Sequence, residues 1–307
     1  MATTLEPPTG EAAPPSAAPS QLGLERDAER AESRRGFLIG LPSLLYLVLF
    51  FAIPLGIVFV YSFGNRSRTG RTILGDWTLS SYERLFSSLV MQITGRSLGY
   101  AILTTVVCLL VGYPFAYYLA TRPPKVRGIL LVLVMIPFWS NLLVRTYAWR
   151  VILGSDGPLV QVLGAVGFTD VRLLFTPFAT ILGLIYGFLP FMILPLYASI
   201  ERLDFSLVEA ARDLYASGWE AFRRVTWPLS RPGVIAGSIL VFIPSFGAYV
   251  IPEILGGSRT TMLGSYVVLQ FLSARDQPFG AALSMAILAV MLASALLYFR
   301  SGAKDVG

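Results

Sequence analysis

The chain has no histidine, a single cysteine, and only 14% charged residues in a length of 307. Each shortage excludes chemistry. Without imidazole there is no histidine metal site, no Ser-His-Asp triad and no imidazole proton shuttle. One cysteine permits no intrachain disulfide, and Cys108 lies in an apolar run, where it reads as a small buried side chain. Soluble domains are about a quarter charged, so the shortage of charge points to the bilayer as solvent. What is abundant is apolar: 55% of the residues are hydrophobic and the mean hydropathy is +0.67. The formal net charge of +6 does not signal nucleic acid, because the basic residues sit in short loops and tails beside apolar runs.

Residues 1–33, rich in Ala, Pro, Ser, Glu and Arg, bury too little to offset chain entropy and are expected to be a disordered tail. No apolar core precedes Phe37 and no small-residue cleavage site follows the first run, so it is not a signal peptide. Six segments are long enough to cross a hydrocarbon core of about 30 Å at about 1.5 Å per residue. They are Phe37–Phe63, Leu98–Ala120, Gly128–Leu153, Leu173–Ile200, Gly233–Leu255 and Pro278–Phe299. The expected fold is an all-α membrane protein of six transmembrane helices, with a membrane domain over 34–300 and a short tail over 301–307. Prolines 42, 54, 114, 137, 190, 195 and 244 fall inside the spans, where they read as kinks for packing.

An even number of spans puts both termini on one side, and the Lys/Arg bias favours the cytoplasmic side. The loop Arg122-Pro-Pro-Lys-Val-Arg127, basic with no acid, votes most clearly. The first outer loop, Gly64–Ser97, runs against the bias with Arg66, Arg68, Arg71, Arg84 and Arg96. Within it, Asp76–Phe86 has near-helical spacing of aromatic and leucine residues and predicts an interfacial amphipathic helix. A docking surface for an external protein is not separable from that by sequence.

Between spans four and five, over 201–232, the pattern changes from continuous apolar to amphipathic. Ser206-Leu-Val-Glu209 and Ser217-Gly-Trp-Glu220 both have capping-box spacing and predict two short helices, joined near Tyr215–Ser217 and stopped near Pro228. On the first, Leu207, Ala210, Ala211 and Leu214 form an apolar face and Glu209, Arg212 and Asp213 a charged one. On the second, Trp219, Phe222 and Val225 oppose Glu220, Arg223 and Arg224. A loop that only packs on its own bundle and a loop that holds a soluble partner both fit this pattern.

These residues resemble the Glu-Ala-Ala loop of permease subunits in type I ABC importers. That pattern is Glu-Ala-Ala, three residues, Gly, nine residues, Ile-x-Leu-Pro. Here Glu209-Ala210-Ala211 is followed at the same spacing by Tyr215 and by Val225-Thr226-Trp227-Pro228. Tyr215 stands for the glycine and Trp227 for the leucine. The resemblance implies a type I importer permease fold in which Glu209, Ala210, Ala211, Asp213, Tyr215, Gly218, Arg223 and Pro228 belong to a loop that couples to an ATPase. It implies cytoplasmic ATP-binding subunits holding ATP and Mg, a second permease subunit, an extracytoplasmic solute-binding protein, and a place in the bacterial inner membrane. This chain has no cofactor of its own on that view and is not an enzyme; it also has no Gly-x-x-x-x-Gly-Lys-Ser/Thr loop.

Pro137–Trp149 and Phe242–Gly257 are similar to the third-span signature and fifth-span exit of spermidine/putrescine-type permeases, the first of the two in such systems. The resemblance implies a polyamine substrate; relatives with these signatures also move ferric iron, opines, phosphonates or thiamine. A flexible polycation calls for aromatic faces and a few carboxylates. Trp139, Tyr147, Phe246, Tyr249 and Glu253 are the candidates, with interface belting as their plain alternative. Arg145, roughly 25 Å along span three, fits either pathway lining or anchoring at the outer interface. An ion-coupled secondary transporter predicts acids within spans and an inverted repeat, and a membrane enzyme a polar catalytic cluster; the sequence displays neither pattern.

Overall fold

The computed structural model describes residues 40–67, 72–168 and 171–302. The expected tail 1–33 and residues 303–307 lie outside the described residues. The chain clusters into two units, Met1–Ile57 and Val58–Gly307. The helix α1, Gly40–Tyr61, begins in the first unit. Its 22 residues are long and apolar enough to span a membrane. It carries a wide π-type turn at Val48–Ala52, directly before Pro54. Proline has no N–H and its ring crowds the carbonyl four residues back, so an extra residue in the preceding turn relieves the helix.

In the second unit, β1 (Asn65–Arg66) pairs antiparallel with β2 (Thr72–Ile73). There follow α2 (Ser80–Glu83), continued as a tight turn over Arg84–Phe86, and α3 (Ser88–Ala120). Next come α4 (Pro124–Trp139), α5 (Leu142–Leu153), α6 (Pro158–Ala165) and α7 (Pro177–Glu201). The chain closes with α8 (Ser206–Asp213), α9 (Gly218–Phe246), a π-type segment Pro252–Gly256, α10 (Leu263–Leu272) and α11 (Gln277–Gly302). The predicted Asp76–Phe86 helix is helical only over 80–86. Its first residues form a loop held by Asn65 Nδ2 donating to the Asp76 carbonyl, with Tyr82 packed on Phe63.

The core is the three-helix contact of α3, α7 and α9. Cys108, Ala116, Leu119, Met192, Leu196, Ile200 and Val241 are buried there together. Gly233 and Gly237 on α9 make the close approach possible. A Cβ on Gly233 would lie 2.5 Å from the Ser199 Cβ, and one on Gly237 would lie 2.8 Å from the Met192 sulfur. This small-xxx-small spacing is how helices pack tightly in lipid, where no hydrophobic effect presses them together.

Five helices qualify as spans, or six when α4 and its continuation count as one. The number agrees with expectation when the bent pair counts as one, but several boundaries do not: the second span starts at Ser88, inside the predicted outer loop, and not at Leu98. The predicted span Gly128–Leu153 is two helices bent by 89°. Asn141 starts the second arm by accepting the Leu143 N–H at 2.7 Å, and a capped helix start inside an apolar run redirects the chain. The predicted stop near Pro228 is absent: α9 runs on from Gly218 into the span, again with a wide turn, Phe222–Thr226, just before the proline. The predicted span Gly233–Leu255 ends instead at Phe246, where Gly247 closes the helix, and a short helical piece resumes beyond the break. Finally, α10 occupies the stretch left between the fifth and sixth predicted spans. It is a ten-residue apolar helix, too short to cross alone.

Candidate functional site

The polar block folds as two capped helix starts around one left-handed residue. The predicted Ser206/Glu209 capping box does not form, because the helix has already begun at Ser206. Instead the Ser206 amide donates to Asp204 Oδ1 at 3.0 Å, and hydrogen bonds from the Ser206 hydroxyl and amide hold the Asp204 carboxyl below its ordinary value. The Ser217/Glu220 box does form. The Glu220 amide donates to Ser217 Oγ at 3.2 Å, and the Ser217 amide donates to the Glu220 carboxylate at 2.9 Å.

Between them, Tyr215 has φ +63°. Its amide donates to the Arg212 carbonyl and that of Ala216 to the Ala211 carbonyl, the paired bonds of a Schellman helix end. Glycine suits that conformation best, which is the physical sense of the position where the family pattern has glycine. Tyr215 accepts the angle and leaves its ring 98% exposed.

The predicted faces of α8 are partly reversed. Val208 is the side chain that seats α8 on the bundle, whereas Leu207, Ala210 and Leu214 stay exposed beside Glu209, Arg212 and Asp213. Arg223 is also exposed, and none of these charges forms an ion pair among the described residues. Gly218 has open space where a Cβ would go, so its packing does not require glycine.

The block is anchored by aromatic rings, of which Phe205, Tyr113 and Tyr117 were not singled out in the sequence. Phe205 meets Tyr117 at 6.3 Å, and Phe222 and Trp227 each meet Tyr113 at 5.5 Å between centroids. The Tyr113 hydroxyl lies 2.7 Å from Ser230 Oγ. Tyr113 and Tyr117 are four apart at one end of α3, a same-face spacing that was available in the sequence. At the same end, Arg127 pairs with Glu201 at 2.8 Å.

The pathway candidates fall into two groups and one core residue. Trp139, Arg145 and Tyr147 lie on the α4–α5 elbow, with Trp139 and Tyr147 exposed. Arg145 folds back over Phe138 at 5.4 Å, and its buried Nε and Nη1 meet no acceptor among the described residues. Tyr249 and Glu253, both exposed, flank the break after α9, and the segment Pro252–Gly256 packs against α5 and α7. Phe246 is 2% exposed, packed with Val90, Ile93, Leu263 and Phe279, so it is core and not lining. Between α3, α4 and α7 lies a cavity of about 450 Å³ bordered by Pro114, Pro137 and Pro190. Its lining is apolar apart from Tyr186 and presents no carboxylate to a cation.

These features define a multi-pass, all-α membrane protein with an exposed polar loop, and comparison with known proteins gives its class. Residues 112–302 match the family "Binding-protein-dependent transport system inner membrane component", and the chain belongs to that family. It is a type I ABC importer permease, a transport component of the inner membrane and not an enzyme.

Among individual relatives, the spermidine/putrescine transport system permease protein PotB of Escherichia coli (strain K12) is 42% identical over 258 residues, covering 83% of this chain and 94% of that protein. The protein of the same name from Haemophilus influenzae is 40% identical over 258 residues, covering 83% and 90%. Among solved structures, a bacterial ABC transporter that imports the acidic polysaccharide alginate superposes with a TM-score of 0.62 over 90% of this chain and 98% of that one. At 17% identity that likeness concerns the fold alone. A second alginate transporter structure, in complex with a periplasmic protein bound to an alginate pentasaccharide, has a TM-score of 0.63 at 18% identity, covering 90% and 95%.

Proposed function

We propose that this chain is the first permease subunit of a polyamine importer, passing spermidine or putrescine inward through a pore shared with a second permease. The observation that carries the substrate is the 42% identity over 258 residues to a spermidine/putrescine permease. Both termini and the 201–232 block face the cytoplasm, where the exposed side of α8 seats in a separate ATPase subunit that holds ATP and Mg. A solute-binding protein delivers the polyamine on the other side.

The exposed charges on α8 beside Leu207, Ala210 and Leu214, which form no ion pair among the described residues, support the docking role. Glu209, Ala210, Ala211, Asp213, Tyr215, Gly218, Arg223 and Pro228 make up that loop. For the pathway, Tyr249 and Glu253 stand at a break in the fifth span, and both side chains are exposed. Trp139 and Tyr147 supply aromatic faces for ammonium groups. A single acid within reach gives weak binding, which suits release.

The test is uptake of labelled spermidine and putrescine by vesicles holding this chain, its second permease, its ATPase and its binding protein. ATP-dependent uptake of either is expected. Uptake of neither by intact complexes removes the polyamine assignment, and competition with ferric iron, opines, phosphonates and thiamine then identifies the cargo. Purification of an active transporter without any ATPase removes the importer mechanism.

A further inference from the structure

At the end of the bundle opposite the 201–232 block, one carboxylate is buried among arginines. Asp276, with its side chain 3% exposed, accepts from Arg84 Nη1 at 2.8 Å and lies 3.8 Å from Arg66 Nη1. The arginines come from the loop 64–86 and the aspartate from the turn before α11, about 200 residues later in sequence. Further bonds join the same two segments. Arg66 Nη2 donates to the Ala274 carbonyl at 2.6 Å, and Thr72 Oγ1 to Gln277 Oε1 at 3.0 Å. The Asp276 carboxylate also accepts the Phe279 amide at 3.3 Å, starting α11, and the Arg84 guanidinium covers the Phe279 ring at 3.9 Å.

From Phe279 the contacts continue inward without a gap. Phe279 is buried with Leu263, Phe246, Val90 and Ile93. The Leu263 amide donates to buried Ser97 Oγ at 2.8 Å, fixing α10 to α3. Gly264 then presses on the carbonyls of Gly247 and Ala248, and Ser265 Oγ donates to the Tyr249 carbonyl at 3.4 Å. The described residues of the loop, α10 and the break in the fifth span are therefore one packed body, and Asp276 is the charge that clasps the loop to it.

We infer that Asp276 is a positioning residue that transmits docking of an external protein from the loop 64–86 to the break at 247–249. The inference rests on the importer function proposed above. The loop 64–86 carries four arginines against Asp76 and Glu83, so its sequence stays net positive even with Asp276 counted, and the side chains of Arg66 and Arg84 are about half exposed. The chemistry that fits is an acidic surface on the solute-binding protein. Arg66, held by the Ala274 carbonyl and 3.8 Å from the carboxylate, keeps charge to share with that surface while Arg84 at 2.8 Å keeps the clasp shut. Tight packing along the route makes a rigid displacement the natural response to a push on the loop.

The experiment uses the complete complex in lipid nanodiscs with substrate-loaded binding protein. Asp276→Asn keeps the shape and removes the charge. Assembly and basal ATPase are expected to stay near wild type, while stimulation by the binding protein falls about fivefold or more. The swap of Arg84→Asp with Asp276→Arg is expected to restore much of it. Should Asp276→Asn assemble poorly, Arg66→Gln leaves the Arg84 pair intact and is expected to weaken binding-protein affinity with little change in Tm. Unchanged stimulation in Asp276→Asn overturns the inference, as does an equal fall of basal and stimulated rates with Tm, which marks a plain structural clip. A wild-type complex that no binding protein stimulates overturns the importer function itself.

Discussion

At the 201–232 end, Glu209, Arg212 and Asp213 project from α8 and Arg223 from the first turns of α9, with no ion pair among the described residues. At the other end, Asp276 is sequestered: its carboxylate starts α11 at the Phe279 amide and, through Arg66 and Arg84, ties two distant segments together. Both ends are polar ledges on an apolar bundle, yet they spend charge differently. An exposed unpaired charge contributes almost nothing to the fold and is available to a partner. A buried carboxylate is tolerable only when paired, so it stabilises one arrangement of the segments around it. The difference teaches which surface is built to receive force and which to keep its shape while passing force on.

The α7–α9 crossing serves both ends, and breaking it gives the largest effect. Gly237→Leu places carbon where the Met192 sulfur and backbone already stand, at 2.8 and 3.1 Å from the glycine's Cβ position. Overpacking of this kind costs about 1–3 kcal/mol or more, so Tm, ATPase association and uptake should fall together. Thermal melting of the purified complex beside uptake checks it, and a variant that melts normally removes the claim that this contact is tight.

Glu209→Lys tests the exposed ledge alone. The side chain makes no ion pair among the described residues, so stability should change by no more than about 0.5 kcal/mol. Reversing the charge against a complementary groove should nevertheless lower ATPase association about tenfold or more, roughly 1.4 kcal/mol. Co-purification at matched expression reads this directly. Normal association with full uptake would show that α8 receives no partner through this face.

Tyr215 sits between these cases. A side chain in the left-handed region costs about 1–2 kcal/mol, so Tyr215→Gly should raise Tm by an amount worth about 1 kcal/mol. Uptake then reports on the ring itself: unchanged uptake assigns Tyr215 to geometry only, and reduced uptake with a higher Tm assigns its exposed ring to the partner.

Much of this was legible in the chain. Length and apolarity fixed six crossings, since a hydrocarbon core admits few other solutions. The Ser217/Glu220 cap was readable because all its atoms lie within four residues. The elbow at Ser140–Asn141 was missed because an N-cap inside an apolar run is masked by the hydropathy around it. The stop at Pro228 was wrongly expected because a wide turn upstream absorbs the proline, and that turn leaves no compositional mark. Phe246 looked like lining and proved to be core because helix rotation depends on neighbours that one sequence does not order. The Asp276 clasp was out of reach altogether: Arg84 and Asp276 meet across 192 positions, and only the tertiary fold brings them together.

The smallest effects separate the two helix starts of the exposed ledge. Ser217→Ala removes a side-chain cap and should cost about 1 kcal/mol at any pH where the chain is folded. Asp204→Asn should act differently. The Ser206 hydroxyl and amide hold the Asp204 carboxyl below its ordinary value, so ionised Asp204 supports the start of α8. A folded value lower than the unfolded one means that this support is complete above the ordinary carboxylate range and is lost as pH falls through the lowered value. Wild type and Asp204→Asn should therefore differ in hydrogen exchange at the Ser206 amide near neutrality and converge in acid, whereas the Ser217→Ala difference persists. A gap between wild type and Asp204→Asn that stays constant through the acid range would show that the amide bond to Ser206 forms equally well without the charge.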